Sequence, residues 1–330
     1  MEVLVLVLRI VVALLAAISI AGFLSRHWWI FDLLSHLRTQ YALGAGGLAV
    51  IALIAGDLTA AAVAVMTSLG NAILVLPQLP GRHPRLGPRQ EPLRVLFANV
   101  HEKNHSFELL CAVIDAADAE IIVLAEVDAD AMAQVRLRLP EYPYFAQPAI
   151  GSRPLGIGLL SRLAPANTEL VNLGESGSPL VIARFDTPPR GITVIGAHPL
   201  PPNHPSWFRQ RNAYLRKLAD IIADEDRDVI LVGDFNVTPW SWHYDEFVRR
   251  TGLLDSRSGF GLQTTWPALL PPLLRVAIDH CFVSPGLVVT SRCVLGSTGS
   301  DHLPIVVDVR FDGARRTEVR RTDARPARKQ

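Results

Sequence analysis

The sequence predicts an α/β domain carried behind three transmembrane helices. Three observations point there. Residues 1–80 hold only six charged side chains: Glu2, Arg9, Arg26, Asp32, Arg38 and Asp57. Beyond residue 92, short apolar runs alternate with stretches of helical periodicity. The polar residues that break this pattern gather at the ends of the apolar runs. The chain has 330 residues, 32 Lys and Arg against 31 Asp and Glu, and a mean hydropathy of +0.26. That apolar excess comes largely from one end. A uniformly soluble globule, a disordered chain and a small disulfide framework are therefore excluded.

The first element is the run from Val3 to Leu24. It carries no charge from Ile10 to Ser25, and Arg9 lies close enough to one end to snorkel. Arg26, His27, Trp28 and Trp29 follow, a mixture of basic and aromatic groups suited to a membrane–water interface. Gln40 to Gly56 is a second apolar run, short and rich in Gly and Ala. Leu58 to Pro80 is a third, with Asp57 between them, where a turn leaves it in water. The last two read as a tight hairpin packed through small residues. A cleaved signal peptide accounts for the first run alone, and a buried soluble hairpin is the bland alternative for the other two.

Residues 1–80 thus form an anchor, 81–92 a linker rich in Pro, Gly and Arg, 93–312 a domain, and 313–330 a basic disordered tail with seven Lys and Arg. With three spans, Arg26, Arg38, Arg82, Arg85 and Arg89 all lie on the domain's side. Counted by arginines, this puts the domain in the cytoplasm. Residues 92–312 contain 19 Lys and Arg against 25 Asp and Glu, a net of −6. A protein that grips long nucleic acid presents a basic footprint, and this balance offers none. Cys111, Cys281 and Cys293 lack metal-type spacing and read as buried thiols.

Within the domain, the strands read as Leu93–Val100, Ile121–Glu126, Gly156–Ser161, Leu180–Phe185, Ile192–His198, Val229–Asp234, Ala277–Val283 and Leu303–Val309. Ser106 is placed to cap a helix with Phe107, Leu110 and Ile114 on one face. Trp207 to Ala223 reads as a second helix. Asn99, Glu126, His198, Asp234, Asn236, Asp279, Asp301 and His302 all fall at strand ends, where side chains can share one crevice. Singly, each has an ordinary reading as a turn, cap or solvated edge residue.

Together, the pieces Ala98-Asn-Val, Val123-Leu-Ala-Glu-Val-Asp, Gly158-Leu-Leu-Ser-Arg, Gly196-Ala-His, Gly233-Asp-Phe-Asn, Ile278-Asp-His and Ser300-Asp-His resemble the endonuclease/exonuclease/phosphatase superfamily, in its order and over nearly the whole domain. Phe235-Asn-Val-Thr-Pro-Trp-Ser and Thr264-Thr-Trp-Pro, with the three spans, resemble its bacterial membrane-anchored members, such as teicoplanin-resistance membrane proteins. The resemblance implies a four-layer αββα sandwich of two mixed sheets and a metal-dependent phosphoester hydrolase. It makes Glu126 the principal ligand of Mg²⁺ or Mn²⁺, with Asn99 and Asp301 beside it as ligands or through bound water. Asp234 deprotonates or orients the attacking water, and Asn236 helps hold that water and a phosphoryl oxygen. His198 and His302 donate to the developing charge, and Asp279 orients a protonated His302. Oxygen ligands without a Cys or His cage suit a hard cation.

Some nucleases of this group carry an acidic residue where this chain has His101, which favours one metal. His101 and Asn104 are candidates for shaping the substrate pocket. A lipid phosphate, pyrophosphate or phosphodiester is the first substrate expectation, with the bilayer as partner. By resemblance to the resistance proteins, the domain then lies outside the cytoplasm, against the arginine count. A Mg²⁺-dependent nuclease is the second reading, with Trp207, Trp240, Trp242 and Trp266 as stacking candidates against a core-and-rim role. A non-catalytic membrane protein that kept the fold is the third.

Overall fold

The computed structural model describes residues 2–81, 91–147, 156–173, 178–187 and 190–312. The basic tail and most of the linker, for which disorder and a connecting role were expected, lie outside the described residues.

The apolar segment folds as α1 (Glu2–Ala21), α2 (Trp29–Ser35), α3 (Arg38–Ile54) and α4 (Leu58–Val75). Helices Glu2–Leu24 and Leu58–Gln78 are each long and apolar enough to cross a membrane. A third span requires α2 and α3, bent by 66°, to count as one. Helices α3 and α4 form the expected hairpin, turning at Gly56, whose φ of +73° suits a residue without a Cβ. Ala52 packs with Ala60 and Ala61, and Ala49 with Ala64 and Val12 of α1. Small side chains let these backbones approach closely.

Asp57 corrects the sequence reading. It is buried rather than left in water: Arg9 Nε donates to its Oδ2 at 2.6 Å, and Ala60 N donates to its Oδ1 at 3.1 Å, so that it caps α4. An acid beside one arginine and one free helix end satisfies both.

The domain is built from β1 (Leu93–Asn99), α5 (Phe107–Ala117), β2 (Ile121–Ala125), α6 (Ala129–Arg138), β3 (Tyr144–Ala146), β4 (Ile157–Ser161), β5 (Asn167–Asn172), β6 (Pro179–Phe185), β7 (Ile192–Ala197), α7 (Pro205–Ala223), β8 (Asp228–Asp234), α8 (Trp242–Thr251), β9 (Leu254–Asp255), β10 (Asp279–Val283), β11 (Leu287–Val294) and β12 (Ile305–Phe311). Two six-stranded sheets result, in the orders β11-β12-β1-β2-β4-β3 and β5-β6-β7-β8-β10-β9. Each is mixed: β1 and β2 are parallel, as are β7 and β8, and the other ladders are antiparallel.

Side chains alternate across a strand. Val95 and Phe97 point between the sheets, onto Val181, Val194 and Val232. Leu96 and Ala98 point outward onto α5 and α6. On the second sheet, Leu231 and Phe282 pack against α7 and α8. Helix, sheet, sheet and helix therefore stack as the expected four-layer sandwich. With both faces covered, the central strands read as unbroken apolar runs.

Two details depart from expectation. Cys293 is exposed, on the edge strand β11, while Cys111 and Cys281 are buried. Ser106 occupies the cap position of α5, but its side chain makes no capping bond. Its backbone N–H instead donates to Asn104 Oδ1 at 2.9 Å.

Topology places the site. The parallel strands β1, β2, β7 and β8 all end on the same side of their sheets, and antiparallel β10 begins there, with Asp279 opposite Asp234. Gly233 stands opposite Ala197 in the β7–β8 ladder. A Cβ at Gly233 would lie 1.9 Å from the Ala197 carbonyl oxygen, so only glycine lets the two strand ends come together.

Candidate active site

Glu126 follows β2 and Asn236 follows β8, and both adopt the left-handed backbone region, with φ of 58° and 50°. His101, two residues beyond β1, has φ of 64°. Non-glycine residues adopt this region at a cost, and such turns re-aim side chains at strand ends. Here they turn toward one another. Asn99 Nδ2 donates to Glu126 Oε1 at 2.9 Å and to Asp234 Oδ2 at 3.2 Å, while its Oδ1 accepts from His101 N at 2.9 Å. Glu102 N donates to Glu126 Oε2 at 3.1 Å. His198 Nε2 lies 3.7 Å from Glu126 Oε1 and 3.6 Å from Asp234 Oδ2. Asn236 N donates to Asp234 Oδ1 at 2.9 Å.

His302 stands between two acids. Its Nδ1 meets Asp279 Oδ2 at 2.9 Å, and its Nε2 lies 3.7 Å from Asp234 Oδ2. Burial alone lowers an imidazole pKa, but Asp279 and Asp234 outweigh it and raise His302 to about 10. His302 is therefore an imidazolium at neutral pH. His198, also buried, goes the other way: desolvation outweighs the pull of Glu126 and keeps it neutral. Burial pushes Asp234 up to about 8, with His302 only partly offsetting it and the charges of Asp279 and Glu126 adding to it.

Asp234, Asp279 and His302 offer ligand atoms within 4.8 Å of one another. A protonated imidazole donates and cannot ligate, so this trio fits an imidazolium hydrogen-bonded to Asp279 and facing Asp234 rather than a metal cage. The surplus of carboxylates over cations nevertheless fits a hard divalent ion. Glu126 supplies a carboxylate at the cavity wall. Asp301 adds an oxygen, Oδ1, that is buried without a hydrogen-bond partner, while its Oδ2 accepts from Trp266 Nε1 at 3.0 Å. The Asn99 oxygen is turned to the His101 amide, so Asn99 steadies Glu126 through its nitrogen.

A cavity of about 530 Å³ opens onto this cluster. Glu126, His198, Asp234, Asn236 and His302 line it. Asn99, Asp279 and Asp301 do not line it, but they touch residues that do. His101 lines it as well. Asn104 instead fastens its loop, donating to Thr298 O at 3.0 Å.

The sequence reading missed the rest of the wall: Leu33 and His36 of the apolar segment, Glu102, the run Leu200-Pro-Pro-Asn203, Val276 and Ile278. Of the four candidate tryptophans, Trp207 and Trp266 line the cavity. Trp240 and Trp242 sit where the domain meets the apolar helices: Trp240 Nε1 donates to Leu74 O at 3.2 Å, and Arg26 covers the Trp242 ring.

That junction reaches the turn that carries Asn236. Arg211 Nη2 donates to Asp32 Oδ2 at 2.5 Å, with both side chains fully buried, and Arg211 Nη1 donates to Asn236 O at 2.9 Å. Ser241 Oγ donates to the other Asp32 oxygen at 2.5 Å. A lone acid in an apolar run was the available signal. Its partner stands 179 residues away and could not be read from spacing.

The chain belongs to the Endonuclease/Exonuclease/phosphatase family, whose model matches residues 95–302. Solved structures of similar fold include an endonuclease/exonuclease/phosphatase from Beutenbergia cavernae, 22% identical over 68% of this chain and 73% of that one, with a TM-score of 0.55. The TDP2 of D. rerio, complexed with a single-strand DNA product, is 17% identical over 67% of this chain and 100% of its own, with a TM-score of 0.56. A mannosyl-6-phosphatase from Bacteroides thetaiotaomicron is 19% identical over 66% and 100%, with a TM-score of 0.54. At these identities the likeness is one of fold. No curated protein matches the sequence.

Proposed function

We propose that this protein is a membrane-anchored, divalent-metal-dependent phosphoester hydrolase acting on a lipid phosphate, pyrophosphate or phosphodiester at the bilayer surface. One observation carries the lipid reading: Leu33 of α2 and His36 in the turn after it, both in the apolar segment, share a cavity wall with Glu126, Asp234 and His302. A substrate that reaches the site thus lies against the anchor. The family membership supports the hydrolase, and the apolar helices support the membrane.

Each residue then has a task. A bound Mg²⁺ or Mn²⁺ beside Glu126, with Asp301 and Asn99 next to it, would neutralise charge on the phosphoryl oxygens. Without a cation Asp234 holds a proton at neutral pH; a cation beside Glu126 would lower its pKa and leave it a carboxylate able to take a proton from, or orient, the attacking water, while Asn236 holds that water through its side-chain amide. The imidazolium of His302, kept charged and fixed by Asp279, donates to the charge that develops on phosphorus-bound oxygen. His198 donates one neutral N–H to the same charge. His302 is poised to give its Nε2 proton to the leaving oxygen.

The net charge of −6 over residues 92–312 argues against a long nucleic acid. Nuclease action remains the competing reading, favoured by Trp207 and Trp266 at the cavity, which offer stacking faces. The arginines on the domain's side argue for a cytoplasmic domain. The likeness to resistance membrane proteins argues for an outward one, and we place it outward on that ground.

A panel of lipid phosphates, sphingomyelin, inositol phosphates and plasmid DNA, offered to the detergent-solubilised chain with Mg²⁺, separates these readings. Release of phosphate or headgroup from a lipid, with DNA left intact, is the expected result. Cleavage of DNA with every lipid untouched would overturn the proposal.

A further inference from the structure

Between Trp266 and Val276 the chain runs Pro-Ala-Leu-Leu-Pro-Pro-Leu-Leu-Arg. Leu269 is 95% exposed, and Leu270, Leu273 and Leu274 are exposed too. A contiguous apolar run on the surface marks a contact site. This one is held firmly. Trp266 and Val276 pair as a β-bridge at its base. Arg275 staples it from within, donating from Nε to Leu270 O at 2.6 Å and from Nη2 to Ala268 O at 2.9 Å.

Two further contacts say what it touches. Gln40, in the first turn of α3, donates to Leu273 O at 3.0 Å and to Arg275 O at 3.1 Å. The loop is therefore fastened to the end of the apolar hairpin, at the level where that hairpin meets the domain. The loop's base belongs to the active site: Trp266 and Val276 line the cavity, and Ala268 N donates to Asp301 O at 2.7 Å.

We propose that Pro267–Leu274 is a lip seated in the bilayer, and that the apolar side of the cavity, formed by Leu33, Trp207, Trp266 and Val276, binds the hydrocarbon chain of an amphiphilic phosphate that enters over this lip. The occupant follows from continuity: a surface joined to the head of an apolar hairpin long enough to reach into a membrane meets the same phase as that hairpin. The chain-binding half rests on the hydrolase reading above, and the lip does not.

The test uses the full chain reconstituted in vesicles. A Leu269→Trp variant adds a fluorophore at the tip, read as the difference from the unsubstituted protein. Brominated acyl chains quench that added signal if the tip is in the bilayer, and Leu273→Asp in the same background removes most of the quenching. In the protein without the added tryptophan, Leu269→Asp with Leu273→Asp lowers turnover of a long-chain alkyl phosphate in vesicles about tenfold or more. It leaves a short, water-soluble phosphate ester within twofold. Absence of quenching overturns the lip. Equal losses on both esters overturn the chain site, because the loop then acts only on the fold. If neither ester is hydrolysed even without substitutions while the quenching pattern holds, the lip stands and the hydrolase assignment falls.

Discussion

His302 faces Asp279 on one side and Asp234 on the other, and that arrangement decides its charge before any substrate arrives. An imidazole pulled up to about 10 is a standing donor. Removing such a donor, or the acid that handles the water, typically lowers the rate by about 10²–10³. His302→Ala and Asp234→Asn should each lose about that much turnover, with the thermal midpoint of the purified chain showing that it stays folded. Near-normal rates in either variant would show that the cluster is structural. At this scale the sequence was informative about identity and uninformative about orientation. Seven of the eight residues named from strand ends are joined directly in one contact network, and Asp301 reaches it through Trp266, whose ring lies beside His302. That Asn99 offers its nitrogen, or that Asp301 leaves one oxygen unpaired, depends on backbone turns no spacing reveals.

Among the elements, legibility followed burial. The eight strands read from the sequence are the eight interior strands, each apolar because both faces are covered. The four it missed, β3, β5, β9 and β11, are the four sheet edges. Strand β5 is mostly exposed and breaks its alternation at Glu169–Leu170, and β9 has two residues, so neither carries a strong periodic signal. Helix α8 was missed because its run Trp242–Thr251 is short and largely polar, with Ser241 as its cap. That helix carries His243, whose Nε2 accepts from Asn212 Nδ2 at 3.0 Å and is therefore neutral. Burial first, then Arg211, lowers its pKa to about 4. In the unfolded chain the ring returns to its ordinary 6.5. Between those values the unfolded state binds more protons, so stability is lost as pH falls. From pH 7 to pH 5 this ring alone loses about 2 kcal/mol, and His280, buried and lowered to about 3, loses a comparable amount. Thermal midpoints at the two pH values measure the sum. His243→Gln should shrink the difference between them, and an unchanged difference would assign the pH sensitivity to other groups.

For the whole molecule, the organisation into apolar helices followed by a sandwich was visible from charge depletion and strand alternation. The joining of the two parts was not. Asp32 and Arg211 are both fully buried, an ion pair that is costly to leave half-made. Through Arg211 and Ser241, Asp32 fixes the segment that follows β8, where Asn236 lies. The exposed lip between Trp266 and Val276 completes the junction. The candidate site and the apolar helices are therefore one structural unit, and the chemistry proposed for it depends on a cation that balances the clustered carboxylates. The most direct measurement is phosphate or headgroup release by the purified full chain, first after exhaustive chelation and then after Mg²⁺ is restored. The account predicts no turnover in the first state and recovery in the second, with Glu126→Gln failing to recover. Equal turnover in both states, or full recovery in Glu126→Gln, would contradict it.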